Sequence, residues 1–316
     1  MLKEVHIIAP FILANGGDWH AIDLYLQYSK THQVTLWSHQ PAHPDLKSKY
    51  PIQEIKPYSG QVPNSGTLLV SGARTEIGHW YNHVNFDKII LIHNLLSPSA
   101  LYKALHRLTI QGRRKVEVIY VSDLTKRFAG LTGEVVHHIP PIERFEPKIK
   151  TSPNHTTPFT IGRISSDSLA KHHHSDIQIY RTLLDLGMQV RIIGGTCLSP
   201  WLNSHSNLSL LPAVPQSEVA EAYSTLDCFY YRVPSVIKEA YGLAVIEAML
   251  SGLPVVCHRE GGYAEVIQQG VNGFLFDRED EAIEIINHLK NNANLRKEIG
   301  MNARQVINKY LVNLKI

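Results

Sequence analysis

Short β-branched runs alternate with helical patterns along the whole chain, and this alternation narrows the fold more than any other feature. In the first half the runs include residues 5–9, 34–37, 68–71, 88–92, 116–121 and 135–139. In the second they include 159–162, 190–194, 228–231, 254–257 and 274–276. Helical stretches such as 218–225 and 279–290 fall between them. Strands separated by helices pair in parallel, so the pattern predicts doubly wound, Rossmann-like α/β domains. Residues 147–158 are polar and carry three prolines, which marks a linker. The expected organisation is an N-terminal domain over 1–146 and a C-terminal domain over 159–316, facing each other across a cleft. The last helix is a candidate for contact with the N-terminal domain. Ligands in such folds sit at the carboxyl ends of the strands, so the loops there carry the search for chemistry.

Two domains of ordinary size fit 316 residues, each able to bury its own core. A net charge of +3 is too small to argue for nucleic acid, which is excluded as a partner. Cys197, Cys228 and Cys257 show no metal or disulfide spacing and read as small core residues in a reducing compartment. No apolar run approaches the roughly 18 residues of a membrane span. The N-terminal apolar stretch, interrupted by Glu4, His6 and Pro10, reads as a first strand and not a signal peptide. These features predict a cytoplasmic protein.

Residues 239–247 read Glu-Ala-Tyr-Gly-Leu-Ala-Val-Ile-Glu, two carboxylates separated by seven residues. A Gly-Leu turn opens a helix there, and Gly252 followed by Pro254 stops it. Glu239 is then expected in the loop before the helix, and Glu247 about one turn inside it. The free amides of the helix N-terminus carry partial positive charge and point at whatever lies between. Two acceptors flanking an anion site suit a molecule with hydroxyls at both ends and phosphate in the middle, such as a nucleotide sugar. Taken alone, the pair reads equally well as an amphipathic helix with two solvated carboxylates.

The arrangement resembles the Glu-x7-Glu signature of the retaining GT-B glycosyltransferases, in particular family 4, the group 1 glycosyl transferases. The resemblance implies that Glu239 contacts hydroxyls of the donor sugar and Glu247 holds the ribose diol. The backbone of Tyr241, Gly242, Leu243 and Ala244 would approach the donor. Ala240 and Ala244 depart from the usual Gly and Pro, without removing a functional group. Arg163, in a Gly-Arg pair after a strand, and Lys171, expected at the start of the next helix, match the family's grip on the nucleotide diphosphate. Gly195, in a turn after a strand, and Pro212 are similar to segments near the nucleotide and the base. Gly16 and Gly17, after the first strand, match a loop near the diphosphate and the acceptor. His93, at the end of the strand 88–92 and followed by Asn94, looks like the family's histidine facing the donor sugar. A lone histidine after a strand is more often structural, and His79 is a rival candidate.

The remaining motifs weigh against other chemistries. No Gly-x-Gly-x-x-Gly fingerprint occurs, which counts against a nicotinamide or flavin cofactor, and none is expected. Three adjacent histidines, His172, His173 and His174, point in different directions on a helix and are not expected to share a metal. None of the eleven aspartates stands two residues from another, so the Asp-x-Asp that chelates a metal against a diphosphate is absent. Residues 101–115 combine Leu101, Leu105 and Leu108 with six basic or histidine side chains, a pattern of core helices with a solvated basic end and also of membrane-surface helices. Peripheral contact with the inner face of the membrane stays open on that ground.

The resemblance implies hexosyl transfer with retention from a nucleotide-diphosphate sugar, with UDP and glucose as defaults. The acceptor is a saccharide or lipid-linked saccharide hydroxyl in polysaccharide or glycoconjugate assembly. Two alternatives remain: a GT-B relative with different chemistry, inverting or epimerising, and a nucleotide-sugar-binding subunit without turnover.

Overall fold

The computed structural model describes residues 3–12, 16–109, 115–146, 158–202, 204–234 and 238–310. The expected linker, apart from Pro158, and the end of the chain beyond Tyr310 lie outside them. The chain divides into two compact units, one running to Pro140 and one beginning at Pro141. Each is built on one parallel sheet.

The N-terminal unit contains β1 (Glu4–Ile8), β2 (Gln33–Ser38), β3 (Ile52–Glu54), β4 (Thr67–Ser71), β5 (Lys88–His93), β6 (Val116–Tyr120) and β7 (Glu134–Val135). They pair in the order β3-β2-β1-β4-β5-β6-β7, parallel throughout. Helices α1 (Gly16–Tyr28), α2 (Pro44–Lys47), α3 (Pro98–Thr109) and α4 (Asp123–Ala129) connect them. All five residues of β4 are buried, as is every residue of β5 after Lys88. Such strands are covered on both faces, and this is why they read as unbroken apolar runs and not as alternation. Leu101, Ala104 and Leu108 of α3 close the core over Leu68, Val70, Ile89 and Leu91.

The C-terminal unit holds β8 (Thr160–Ile164), β9 (Gln189–Ile193), β10 (Leu208–Leu211), β11 (Cys228–Tyr231), β12 (Val255–His258) and β13 (Phe274–Phe276). Its order is β10-β9-β8-β11-β12-β13, again parallel. Between the strands run α5 (Asp176–Asp185), α6 (Gln216–Ser224) and α7 (Leu243–Leu250), and α8 (Glu279–Asn291) and α9 (Ala293–Lys309) follow β13. Ile161, Val190, Ile192, Cys228, Tyr230, Val256 and Phe276 form the centre, capped by Tyr180 and Leu183 of α5 and Ile286 and Leu289 of α8.

Two strands escape the sequence pattern. Ile52–Glu54 and Leu208–Leu211 are sheet edges and only partly buried, so they lack the continuous apolar run. The strand expected over 135–139 shrinks to Glu134–Val135. The chain beyond it leaves the sheet because His138 seats against α1, with Nε2 2.9 Å from Asp23 Oδ2 and its ring stacked 4.0 Å from that of His20.

Candidate functional site

The C-terminal unit gathers most of the expected site residues at the carboxyl ends of β8 and β11. Arg163 lies near the end of β8 with its side chain fully buried. Its terminal nitrogens donate to the carbonyls of Lys171 and Arg232, and its guanidinium lies 4.5 Å over the ring of Tyr231. Asp176, at the first turn of α5, is its counter-ion at 3.7 Å and also accepts from Arg232 Nε at 2.8 Å and Tyr230 OH at 2.7 Å. Arg232 reaches on to Glu279 at 2.9 Å. Direct contact between Arg163 and a diphosphate was the expectation. The structure instead sets Arg163 beneath the loop, where it holds the main chain of Lys171.

Lys171 does not start a helix. It closes a 3-10 turn, Leu169–Lys171, and α5 begins five residues later. His172 is extended (φ −116, ψ 130), which ends the turn and lets its Nε2 meet the carbonyl of Gly194 at 3.0 Å. Burial pulls the His172 pKa down to about 4, assisted by the Arg163 charge, so the ring is neutral. Gly194 has φ +77, and a Cβ there would stand 1.9 Å from the carbonyl oxygen of Ser165, so only glycine admits the two loops at this spacing. The amides of Gly194 and Gly195 both donate to Leu211 O, at 2.9 and 3.0 Å. Asp167 accepts from the Thr196 hydroxyl and from Cys197 N. Gly195 thus has its amide committed to β10, and the turn serves as a seat for the Lys171 loop. Pro212, just past β10, is exposed.

Lys171 Nζ lies 2.9 Å from Glu239 Oε2, which also accepts from Tyr231 OH at 2.9 Å. The main chain of Glu239 is fixed from the other side, since its carbonyl accepts from Gly262 N at 3.0 Å. Three residues later Gly242 adopts φ +86, and a Cβ there would meet the Tyr263 ring at 2.4 Å. The Gly261-Gly262-Tyr263 segment therefore shapes the entry to α7. No side chain caps α7, and the amides of Leu243 and Ala244 have no acceptor among the described residues. Both residues are half-buried, so these donors remain open to a ligand. Tyr241 is buried, which raises its phenol well above the ordinary value.

Glu247 follows in the second turn of α7, held by Tyr223 OH and Gln216 Nε2, each at 3.2 Å. Tyr223 OH also donates to Ala244 O at 2.8 Å, so one tyrosine fixes both the carboxylate and the first turn. Gln216, Tyr223, Tyr231, Asp176 and Arg232 were missed by sequence reasoning. Each acts through contacts distant in the chain, and no local spacing announces them.

In the N-terminal unit, Gly16 and Gly17 form the first turn of α1, and the buried Asp18 accepts from Phe11 N at 2.8 Å. That bond fixes the chain after β1, where Phe11 has φ +52. Asn15 lies outside the described residues. His93 ends β5 with its ring fully buried and neither ring nitrogen hydrogen-bonded among the described residues. Burial lowers its pKa to about 4, so it is neutral at pH 7. His79, the rival, is exposed before a 3-10 turn. The histidine run splits: His172 turns inward, while the His173 and His174 rings stack at 4.4 Å. Among the described residues no group of three or more His, Cys, Asp or Glu is placed to hold a metal, and no helix is long and apolar enough to cross a membrane. Of the helix expected over 101–115 the described part is Pro98–Thr109, and residues 110–114, with Arg113 and Arg114, lie outside the described residues.

The family model of the glycosyl transferases group 1 matches residues 145–306, just over half of the chain. The chain belongs to this family. As a group 1 glycosyl transferase it is 40% identical over 98 residues to the sulfoquinovosyl transferase of Arabidopsis thaliana, a match covering 29% of this chain and 19% of that protein. It is 33% identical over 110 residues to an uncharacterized glycosyltransferase of Methanocaldococcus jannaschii, covering 34% and 30% respectively. A sucrose synthase of Melioribacter roseus matches at 45% over 65 residues, 20% of this chain and 8% of the enzyme. The chain therefore spans less than a third of the length of each of these relatives. Among solved structures, HepE of Anabaena in complex with UDP-glucose aligns with a TM-score of 0.75 at 17% identity, over 98% of this chain and 95% of that one. Sucrose-phosphate synthase from Thermosynechococcus elongatus aligns at 0.72 and 12% identity, over 98% and 94%. At these identities the likeness speaks for the fold, which is GT-B, α/β with two Rossmann-like domains.

Proposed function

We propose that this group 1 glycosyl transferase moves a hexose, with retention, from a nucleotide-diphosphate sugar to a saccharide or lipid-linked saccharide hydroxyl. UDP is the carrier and glucose the sugar in this reading. The observation that carries it is the Lys171–Glu239 pair at 2.9 Å beside the open amides of α7. A cation with unused donors suits a diphosphate, and a carboxylate beside it suits sugar hydroxyls. Glu247, fixed by Tyr223 and Gln216, suits the ribose diol. The UDP-glucose bound to HepE and the sucrose synthase match support the same donor class.

In the free protein Lys171 and Glu239 neutralise each other. On donor binding Lys171 turns to the diphosphate, and Glu239, still held by Tyr231, turns to the sugar. Arg163 acts from below by holding the Lys171 main chain. The anomeric C–O bond to the diphosphate breaks, and the acceptor oxygen bonds to the same carbon on the same face. The acceptor proton passes to a departing phosphate oxygen. Lys171 and the Leu243 and Ala244 amides stabilise the charge that develops there. His93, with a pKa near 4, is a weak general base at neutral pH, which favours this route over an inverting one.

The test is incubation of the purified chain with UDP-glucose and a panel of saccharide acceptors, with the product anomer read by NMR. An α-linked product is expected. A β-linked product overturns retention, and absence of turnover with UDP, GDP and ADP sugars alike overturns the transferase reading.

A further inference from the structure

In the N-terminal unit a cavity of about 550 Å³ opens between the loop after β4 and helix α3. The side chains of Arg74, Lys103, His106 and Arg107 line it, together with the hydroxyls of Ser97 and Ser99. Among the described residues no carboxylate lines it. Lys103, His106 and Arg107 fall on one face of α3 at spacings of three and four, opposite the buried Leu101, Ala104 and Leu108. Arg107 is fixed in place: Nη2 donates to Ala73 O at 3.4 Å, and its carbonyl accepts from Tyr81 OH at 2.7 Å. Its Nε is buried without a partner. Ser97 and Ser99, at the N-terminal end of α3, have their oxygens 3.3 Å apart.

The charge is uncompensated. Among the described residues Arg74, Lys103 and Arg107 have no ion-pair partner. Glu76, the acid nearest to Arg74 in the chain, is 3.9 Å from His39 and accepts from Gln40. Like charges converging on one hollow repel, and an anion relieves that repulsion while filling the donors. Three permanent cations exceed what one carboxylate needs, whereas a phosphate or diphosphate oxyanion takes several guanidinium, ammonium and hydroxyl donors at once. The cavity lies past the carboxyl ends of the neighbouring strands β4 and β5, the edge where doubly wound sheets bind ligands.

We propose that this cavity is a phosphate-binding site and that the acceptor carries the phosphate. Its assignment to the acceptor rests on the glycosyl-transfer reading; the phosphate site itself does not. The phosphate is borne either by a soluble sugar phosphate or by a lipid.

Calorimetric titration of inorganic pyrophosphate into the full chain, kept saturated with UDP so that the donor-side phosphate contacts are filled, tests the site. Pyrophosphate is expected to bind, and to bind at least about tenfold more weakly to the Arg74→Gln/Lys103→Gln double variant. Both side chains are exposed, and an unchanged circular dichroism spectrum checks the fold of the variant. Glucose 1-phosphate in the titration, and phosphatidylglycerol vesicles against phosphatidylcholine vesicles in flotation, separate the two sources. Whichever is used should lose binding in the double variant. Pyrophosphate heats that persist without UDP binding, and vanish in the double variant, keep the phosphate site and remove the transferase reading. Equal pyrophosphate affinity in the two proteins, or no binding to either, overturns the site.

Discussion

Around Lys171 the charged side chains are matched: Arg163 and Arg232 share Asp176, Arg232 adds Glu279, and Lys171 itself faces Glu239. Along α3 and the loop after β4, in the other unit, Arg74, Lys103 and Arg107 have no ion-pair partner among the described residues, and neither ring nitrogen of His93 meets a hydrogen-bond partner there. In the first region the side-chain charges are paired before any ligand arrives, so a ligand that takes Lys171 must exchange partners with Glu239. The second is incomplete, so a ligand there supplies what is missing. The contrast separates positioning from recognition. Removing a member of the buried Arg163–Asp176–Arg232 set should damage the fold, while removing one of the unmatched cations should leave the fold intact and weaken only a ligand.

The largest effect expected from that contrast is at Asp176. Asp176→Ala leaves two buried guanidinium groups without their shared carboxylate, a loss of about 3–5 kcal/mol. Chemical denaturation of wild type and variant measures it. A change below 1 kcal/mol would mean that the buried network does not hold the site together.

The unmatched His93 predicts a dependence on acidity. Its folded pKa, about 4, lies below the ordinary 6.5, so the unfolded chain binds this proton first as pH falls. The stability contributed by burying the neutral ring is present above pH 6.5 and is lost progressively down to about pH 4. The slope attributable to this one group is at most about 1.4 kcal/mol per pH unit. Denaturation at pH 7, 6 and 5 should show a shallower decline for His93→Leu than for wild type. Parallel declines would place the acid sensitivity elsewhere.

Within the matched region, the two glutamates should separate. Glu247→Ala should weaken UDP binding roughly ten- to a hundred-fold by removing a charge-assisted contact worth about 1.5–3 kcal/mol. Glu239→Gln should leave UDP affinity nearly unchanged and lower turnover. Calorimetry and initial rates on the pair are the check, and the reverse pattern would exchange their assignments. The smallest expected effect is that of chelation. Lys171 and the α7 amides supply positive charge for a diphosphate, so activity should survive EDTA; loss restored by Mn²⁺ would contradict this account.

The fold was legible because its central strands are buried on both faces. Thr67–Ser71, covered completely, and Lys88–His93, covered after its first residue, appear in the sequence as compact apolar runs. Ile52–Glu54 and Leu208–Leu211 do not, since an edge strand needs only part of that pattern. The site was legible where spacing is local, as with Glu239 and Glu247 on either side of Gly242. It was opaque where it depends on long-range contacts: Asp176 and Arg232 stand 56 residues apart, and Gln216 and Glu247 stand 31 apart. The surroundings of Arg163 were hidden for the same reason. A strand-end arginine shows nothing in the sequence of Asp176 and the carbonyls of Lys171 and Arg232 that surround it.

In the proposed reaction Lys171 is the side chain that meets the diphosphate. Calorimetric titration of UDP and of uridine into wild type and Lys171→Ala isolates that contact, because the two ligands differ only in the phosphates. Wild type should bind UDP more tightly than uridine, and the variant should lose about ten- to a hundred-fold for UDP with uridine affinity unchanged. Equal losses for both ligands, or none for UDP, would contradict that role for Lys171.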